Sequence, residues 1–150
     1  MKINGKKLLI DSNILIYSVD SLSPKYDVSV SFMKASADKL CFPVIAHQNI
    51  LETVRVLTHK KYNNPLTKDE VFIFTKSLEK FCEVISPNRE TWEIMKALLG
   101  KYKVISNRIF DCYLVATMLS NDIKIIATDN VKDLEIFEEI KVYNPYNLSS

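Results

Sequence analysis

Short apolar runs alternate along this chain with longer stretches in which apolar residues recur every three or four positions. The short runs predict buried strands, and the longer stretches predict amphipathic helices. Strands are predicted at residues 7–10, 40–44, 81–85, 124–127 and 141–143. Helices are predicted at residues 13–19, 24–37, 47–60, 67–78, 89–102, 108–119 and 132–137. This alternation predicts a three-layer α/β/α domain with a mostly parallel central sheet of four to five strands.

Polar residues interrupt the apolar pattern directly after two of the predicted strands. Asp11 follows the first strand, and the run Thr128, Asp129 and Asn130 follows the fourth. Ligands of parallel α/β sheets bind just beyond the carboxyl ends of the strands. We therefore expect these polar residues to share one edge of the sheet.

Three further carboxylates lie in segments that are otherwise apolar. Glu52 is on the third predicted helix, Asp111 is among residues of the sixth helix expected in the core, and Asp133 is close behind the fourth strand. Crowded carboxylates repel one another unless a cation shares their site. Hard divalent cations take oxygen ligands, and Mg²⁺ commonly keeps waters beside one or two carboxylates. Such a site is suited to phosphodiester hydrolysis, because the ion activates water and stabilises developing charge.

Each of these residues, taken singly, also has a simpler interpretation. Asp11 is suited to cap the first helix, and Asp129 or Asn130 is suited to cap the short helix after the fourth strand. Glu52 alone is typical of a solvated charge on a helix. A phosphatase or phospho-acceptor domain, with Asp11 as nucleophile, is an alternative of another class. That class needs a second acid or a threonine close behind the nucleophile, and residues 12 and 13 are Ser and Asn.

Length and composition limit the remaining possibilities. The 150 residues suffice for a single domain, 1–150, with a sizeable core, and the net charge of +2 permits a nucleic-acid partner without demanding one. No apolar run approaches the ~20 residues of a membrane span, and no signal-peptide core begins the chain. We therefore expect a cytoplasmic protein with no membrane partner. Cys41, Cys82 and Cys112 form no CxxC pair and are expected in the core.

Four segments, in this order, resemble the motifs of PIN-domain ribonucleases, and within them the compact VapC-like toxins. The segments are residues 9–17, 50–58, 108–117 and 126–134. They contain Asp11 with Asn13, then Glu52, then Asp111, then Thr128. A final strand that ends in Asn144-Pro145 follows them, so the resemblance covers nearly the whole chain.

The resemblance implies an endoribonuclease that hydrolyses RNA with a Mg²⁺ or Mn²⁺ ion. Asp11 and Asp111 would be the principal direct ligands, whereas Glu52 and the pair Asp129 and Asn130 would act more often through water. Glu52 or Asp129 would orient the attacking water and could deprotonate it.

Supporting roles follow from the same resemblance. Asn13 and Thr128 would hold the carboxylates by hydrogen bonds, and Arg108 is a candidate phosphate contact. Asn130 stands where many members carry a fourth acid. Asp129, Asn130 and Asp133 are therefore all candidates to complete the metal site.

The toxin branch also implies partners. An antitoxin protein would block the site, and the nuclease would form a homodimer. Two alternatives stay open: a non-catalytic nucleic-acid-binding PIN module, and an RNA-processing nuclease without an antitoxin.

Overall fold

The computed structural model describes residues 2–147 of the chain. Within them, the strands are β1 (Lys7–Ile10), β2 (Phe42–Ala46), β3 (Glu83–Ile85), β4 (Ile125–Ala127) and β5 (Lys141–Tyr143). The helices are α1 (Ser12–Tyr17), α2 (Tyr26–Ala37), α3 (His47–Leu57), α4 (Lys68–Phe81), α5 (Thr91–Lys101), α6 (Arg108–Ser120) and α7 (Val131–Leu134). No helix among residues 2–147 has the length and apolar character that crossing a membrane requires.

The five strands form one parallel sheet in the order β3-β2-β1-β4-β5. The chain begins at the centre with β1, runs outward through β2 and β3, and then returns to the other side of β1 with β4. The strand order therefore reverses between β1 and β4. In open parallel sheets the crevice beyond the carboxyl ends of two such strands is the usual ligand site.

Successive residues of each strand point to opposite faces of the sheet, and the core is divided accordingly. Leu9, Val44 and Ile126 pack on one face with residues of α5, α6 and α7. Leu8 and Ile10 pack on the other face with residues of α1, α2 and α4. The predicted three-layer α/β/α class and parallel sheet are thus confirmed, and all three cysteines are buried as expected.

The predicted and observed boundaries of β2 differ at both ends. The strand was predicted at residues 40–44 and instead spans Phe42–Ala46. Residues 40 and 41 belong to the turn that ends α2, because the Leu40 N–H donates to the Ala35 carbonyl and Lys39 has a positive φ of 67°.

The surroundings of Asp111 also differ from the prediction. Ile109 and Phe110 were expected in the core, but their side chains are 39% and 62% exposed. They lie in the first turn of α6, and the buried side of that helix begins only at Cys112. Apolar character in the sequence therefore did not indicate burial at this helix end.

Candidate functional site

The reversal between β1 and β4 places the residues that follow these two strands side by side. Ile10 is in register with Ala127, and the Asp11 N–H donates to the Ala127 carbonyl at 3.0 Å. The strand pairing therefore extends one residue into the site. Asp11 and Thr128 share the sheet edge, as the sequence predicts.

The Asp11 carboxylate is buried and held from several directions. Its Oδ1 accepts from the Ser12 N–H at 2.8 Å, so Asp11 is the N-cap of α1. Its Oδ2 accepts from the Thr128 hydroxyl at 2.7 Å and from the Asn13 amide at 3.2 Å. Asn49 Nδ2 also lies 3.4 Å from Oδ1. The capping interpretation and the site interpretation of Asp11 thus hold together in one residue.

Burial raises the pKa of Asp11, and the hydrogen bonds from Thr128 and Ser12 oppose that rise. The nearby Glu52 carboxylate raises this pKa as well. The donors around Asp11 therefore serve to keep a buried carboxylate charged.

Glu52 is linked to Asp11 through the Ser12 side chain. The Ser12 hydroxyl lies 2.7 Å from Glu52 Oε2 and 3.3 Å from Asp11 Oδ1. Because a serine has one hydroxyl proton, the shorter contact identifies Glu52 as the acceptor. On its other side, Glu52 Oε1 accepts from Gln48 Nε2 at 3.1 Å. The same amide group donates to the Phe110 carbonyl at 3.0 Å, which connects α3 to the start of α6.

Asp111 differs from Asp11 in having no such support. Among residues 2–147, its carboxylate takes part in no side-chain hydrogen bond or ion pair. Partial burial, followed by the negative charges of Asp11, Asp133 and Glu52, raises its pKa to about 6. Arg108 acts in the opposite direction. Asp111 is thus a carboxylate that faces other carboxylates and lacks a neutralising partner.

The two candidate acids behind β4 lie in different surroundings. Asp129 Oδ2 accepts from the Tyr17 hydroxyl at 3.0 Å and pairs with Lys25. The Lys25 ammonium also lies over the Tyr17 and Tyr146 rings, 5.4 and 5.1 Å from their centroids. The Asp129 carboxylate is therefore already neutralised.

Asp133 is the acid behind β4 whose charge reaches Asp111. It raises the pKa of Asp111, and it lies 3.8 Å from the Arg108 guanidinium. Asn130 begins α7 without a side-chain cap bond, and its N–H donates to Thr128 Oγ1 at 2.9 Å.

The donor set suits a hard divalent cation that keeps much of its water. The candidate ligands are carboxylate oxygens and the Asn130 amide oxygen, and Asp111 offers oxygens that no described donor uses. Among the described residues, no three His, Cys, Asp or Glu side chains are arranged to enclose one metal ion. An ion held by one or two carboxylates and several waters is the usual Mg²⁺ arrangement. The residues present fit such an ion and do not form an all-protein cage.

Several residues that connect or neutralise the acids of this site were not predicted from the sequence. Ser12, Gln48 and Asn49 connect the acids, and Lys25 neutralises Asp129. Asn49 is fully buried and also accepts from the Ala46 N–H at 2.9 Å. Its spacing of three residues before Glu52 was an available signal. Lys25 carried none, because it precedes α2 in an ordinary polar stretch.

Comparisons with known proteins identify the family and the fold. The sequence profile of the family described as PIN domain matches residues 8–139. A search of curated proteins found no significant match.

Several solved structures are similar in fold. A chain of the VapBC2 complex of Rickettsia felis, bound to a DNA fragment of its promoter, is 15% identical with a TM-score of 0.68; 92% of this chain and 98% of that chain are covered. A toxin–antitoxin complex from Klebsiella pneumoniae is 22% identical with a TM-score of 0.62, covering 93% and 98%. VapC20 of Mycobacterium tuberculosis, a toxin that cleaves the sarcin-ricin loop, is 11% identical with a TM-score of 0.63, covering 89% and 98%.

Proposed function

The chain belongs to the PIN domain family, and from that membership and its acidic site we propose that it is a divalent-metal-dependent endoribonuclease. Its substrate class is RNA, and the reaction is hydrolysis of a phosphodiester bond. We further propose that it is the toxin of a toxin–antitoxin pair.

The observation that carries the proposal is the contrast between Asp11 and Asp111. Asp11 is fixed by several donors, whereas the Asp111 carboxylate has no hydrogen-bond or ion-pair partner in the described part of the chain and has a pKa raised to about 6. A purely structural acid would be hydrogen-bonded or fully solvated. A carboxylate kept free beside other carboxylates is typical of a site prepared for a cation.

In this proposal Asp11 and Asp111 hold a Mg²⁺ or Mn²⁺ ion. When bound, such an ion lowers the pKa of water and stabilises charge on the transferred phosphoryl group. Thr128 and Asn13 hold the Asp11 carboxylate in place, since both donate to its Oδ2. Arg108 lies beside Asp133 at the same edge and supplies a positive charge for a phosphate of the strand.

Two roles remain, the activation of water and the completion of the metal site, and each has a preferred residue. Glu52 is the better candidate to orient water and accept its proton, because Asp129 is neutralised by Lys25. Asp133 is the better candidate to complete the metal site, since its charge acts on Asp111. In the proposal Asp129 and Asn130 shape the loop behind β4.

The toxin assignment is supported by solved structures of similar fold. The VapBC2 complex and the Klebsiella complex each contain a toxin with its antitoxin. By the same likeness we propose an antitoxin as the protein partner of this chain. The homodimer and the cytoplasmic location stay predictions.

Metal binding and RNA cleavage by Asp111→Asn test the proposal. We expect wild type to bind Mn²⁺ in isothermal titration calorimetry and to cleave RNA with Mg²⁺ or Mn²⁺, with cleavage stopped by a chelator. Asp111→Asn should lose both properties while keeping the wild-type circular dichroism spectrum. Glu79→Gln, which removes an exposed carboxylate of α4, is the matched control and should keep both. Undiminished cleavage by folded Asp111→Asn would refute the proposal.

A further inference from the structure

We propose that the apolar groove between α3 and α6 receives an unpaired base of the RNA, stacked on Phe110, next to the phosphate that is cleaved. The inference rests on the proposed function and adds a base-binding subsite to it. Below, this groove is called the base groove; its lining includes Gln48, Leu51, Pro87, Phe110 and Tyr113.

The base groove is apolar and accessible, and it adjoins the acidic site through Gln48. It has a volume of about 320 Å³, and the side chains of Leu51 and Phe110 are 70% and 62% exposed. Each directly adjoins an acid in the sequence, because Leu51 precedes Glu52 and Phe110 precedes Asp111. Gln48 lines the groove and donates to Glu52 Oε1 at 3.1 Å and to the Phe110 carbonyl at 3.0 Å. Gln48 therefore joins the base groove to the acidic site.

One polar atom of the base groove lacks a partner. Gln48 uses its amide nitrogen for Glu52 and for the Phe110 carbonyl. Its Oε1 is buried and has no hydrogen-bond partner within the described part of the chain. Buried acceptors are ordinarily satisfied, so a rotation of the Gln48 side chain that brings this oxygen to a donor of an occupant would be favourable.

These features together favour a nucleobase over an apolar side chain of a protein. A base offers a flat π face for the Phe110 ring and N–H groups at its edge for Gln48 Oε1. It is also attached to a phosphate, the group that an ion between Asp11 and Asp111 would bind. A ring, an acceptor and an adjoining cation site match the parts of one nucleotide.

Base deletion in the substrate tests the inference directly. The substrate is a single-stranded RNA that wild type cleaves at a defined position, together with versions that are abasic at one nucleotide at a time around that position. We expect wild-type kcat/KM to fall about 5- to 100-fold for one abasic position, the range for loss of one stacked base. Phe110→Leu should lose a similar factor on intact RNA and nothing further at that abasic position. Phe110→Trp should retain the wild-type pattern.

Phe72→Leu is the matched control, because Phe72 on α4 is 60% exposed and lies outside the base groove. It should behave as wild type. A uniform response of wild type to all abasic positions would overturn the inference. So would an equal loss by Phe110→Leu on intact and abasic RNA. If Phe110→Leu leaves cleavage unchanged but alters self-association in sedimentation, the groove is a contact between copies of the chain and the inference is wrong.

A binding experiment separates this inference from the proposed function. If wild type cleaves no RNA, the proposed function fails, and a short RNA that contains 2-aminopurine still decides the base groove. Fluorescence quenching that Phe110→Leu abolishes and Phe72→Leu keeps would support the base groove. Quenching that is absent, or equal in all variants, would overturn it.

Discussion

Asp111→Asn should stabilise the protein in the absence of metal while removing metal binding. The Asp111 pKa is raised from 3.8 to about 6, first by burial and then by the charges of Asp11, Asp133 and Glu52. A group whose pKa is higher in the folded state favours folding while it is protonated. That contribution is lost as the pH rises through 6. At neutral pH the charged Asp111 therefore opposes folding, and the uncharged Asn of the same shape does not.

The size of the effect follows from the shift. A change of about two pKa units corresponds to roughly 3 kcal/mol at most. Because Asp111 is only partly buried, solvent screening reduces this, and we expect about 1 to 2 kcal/mol. For a chain of this length each kcal/mol moves the melting temperature by about 2–4 °C. Asp111→Asn should therefore melt about 2–8 °C above wild type near pH 7.5 with a chelator present.

Thermal unfolding followed by circular dichroism measures this difference. The advantage of Asp111→Asn should shrink as the pH falls from about 7 towards 4, since wild-type Asp111 then becomes protonated. Added Mn²⁺ should raise the melting temperature of wild type and leave that of Asp111→Asn unchanged. The control Glu79→Gln should stay within about 0.5 kcal/mol of wild type. A variant that is less stable than wild type at neutral pH, or equally stable at every pH, would contradict the reasoning.

Three further predictions concern residues near Asp11 and Asp111. Thr128→Val removes a buried donor to Asp11 and should lower the free energy of unfolding in urea by about 1–3 kcal/mol; Thr128→Ser, which keeps the hydroxyl, should lose clearly less, and equal losses would count against the hydrogen bond. Lys25→Met breaks the pair with Asp129 and should cost about 1 kcal/mol at low salt and less at high salt; a loss that salt does not change would argue against an ionic origin. In calorimetry, Asp133→Asn should weaken Mn²⁺ binding more than Asp129→Asn, because Lys25 already neutralises Asp129, and the reverse order would be inconsistent with the ranking of the two acids.

Local sequence patterns predict the sheet and the first acid of the site well, and for a physical reason. Buried strands of a parallel sheet are short apolar runs, so β1 and β4 are visible directly in the sequence. The edge they share follows from the topology of parallel sheets. The sequence alone therefore sufficed to place Asp11 and Thr128 together at the ends of these two strands.

The orientation of polar side chains could not be predicted in the same way. Asp129 and Asp133 are the same residue type and lie close together in the sequence. They differ in the cation beside each, which is Lys25 for Asp129 and Arg108 for Asp133. Lys25 reaches Asp129 across 104 residues of chain, a separation at which periodicity carries no information. The base groove could not be predicted from the sequence either. The sequence predicts Phe110 to be in the core, and its exposure follows from its position in the first turn of α6.

The double duty of Asp11 constrains how this protein can change over evolutionary time. Asp11 begins α1 and occupies the centre of a hydrogen-bond network that joins separate segments of the chain, so a lineage that lost it would lose part of its architecture. Among residues 2–147, the Asp111 carboxylate makes no side-chain hydrogen bond or ion pair, and its loss at neutral pH is expected to be stabilising. We therefore expect that descendants which abandon the chemistry and keep the fold would shed Asp111 early and retain Asp11. Of the two acids that hold the ion in the proposed function, Asp111 is thus the one whose loss the fold tolerates more easily.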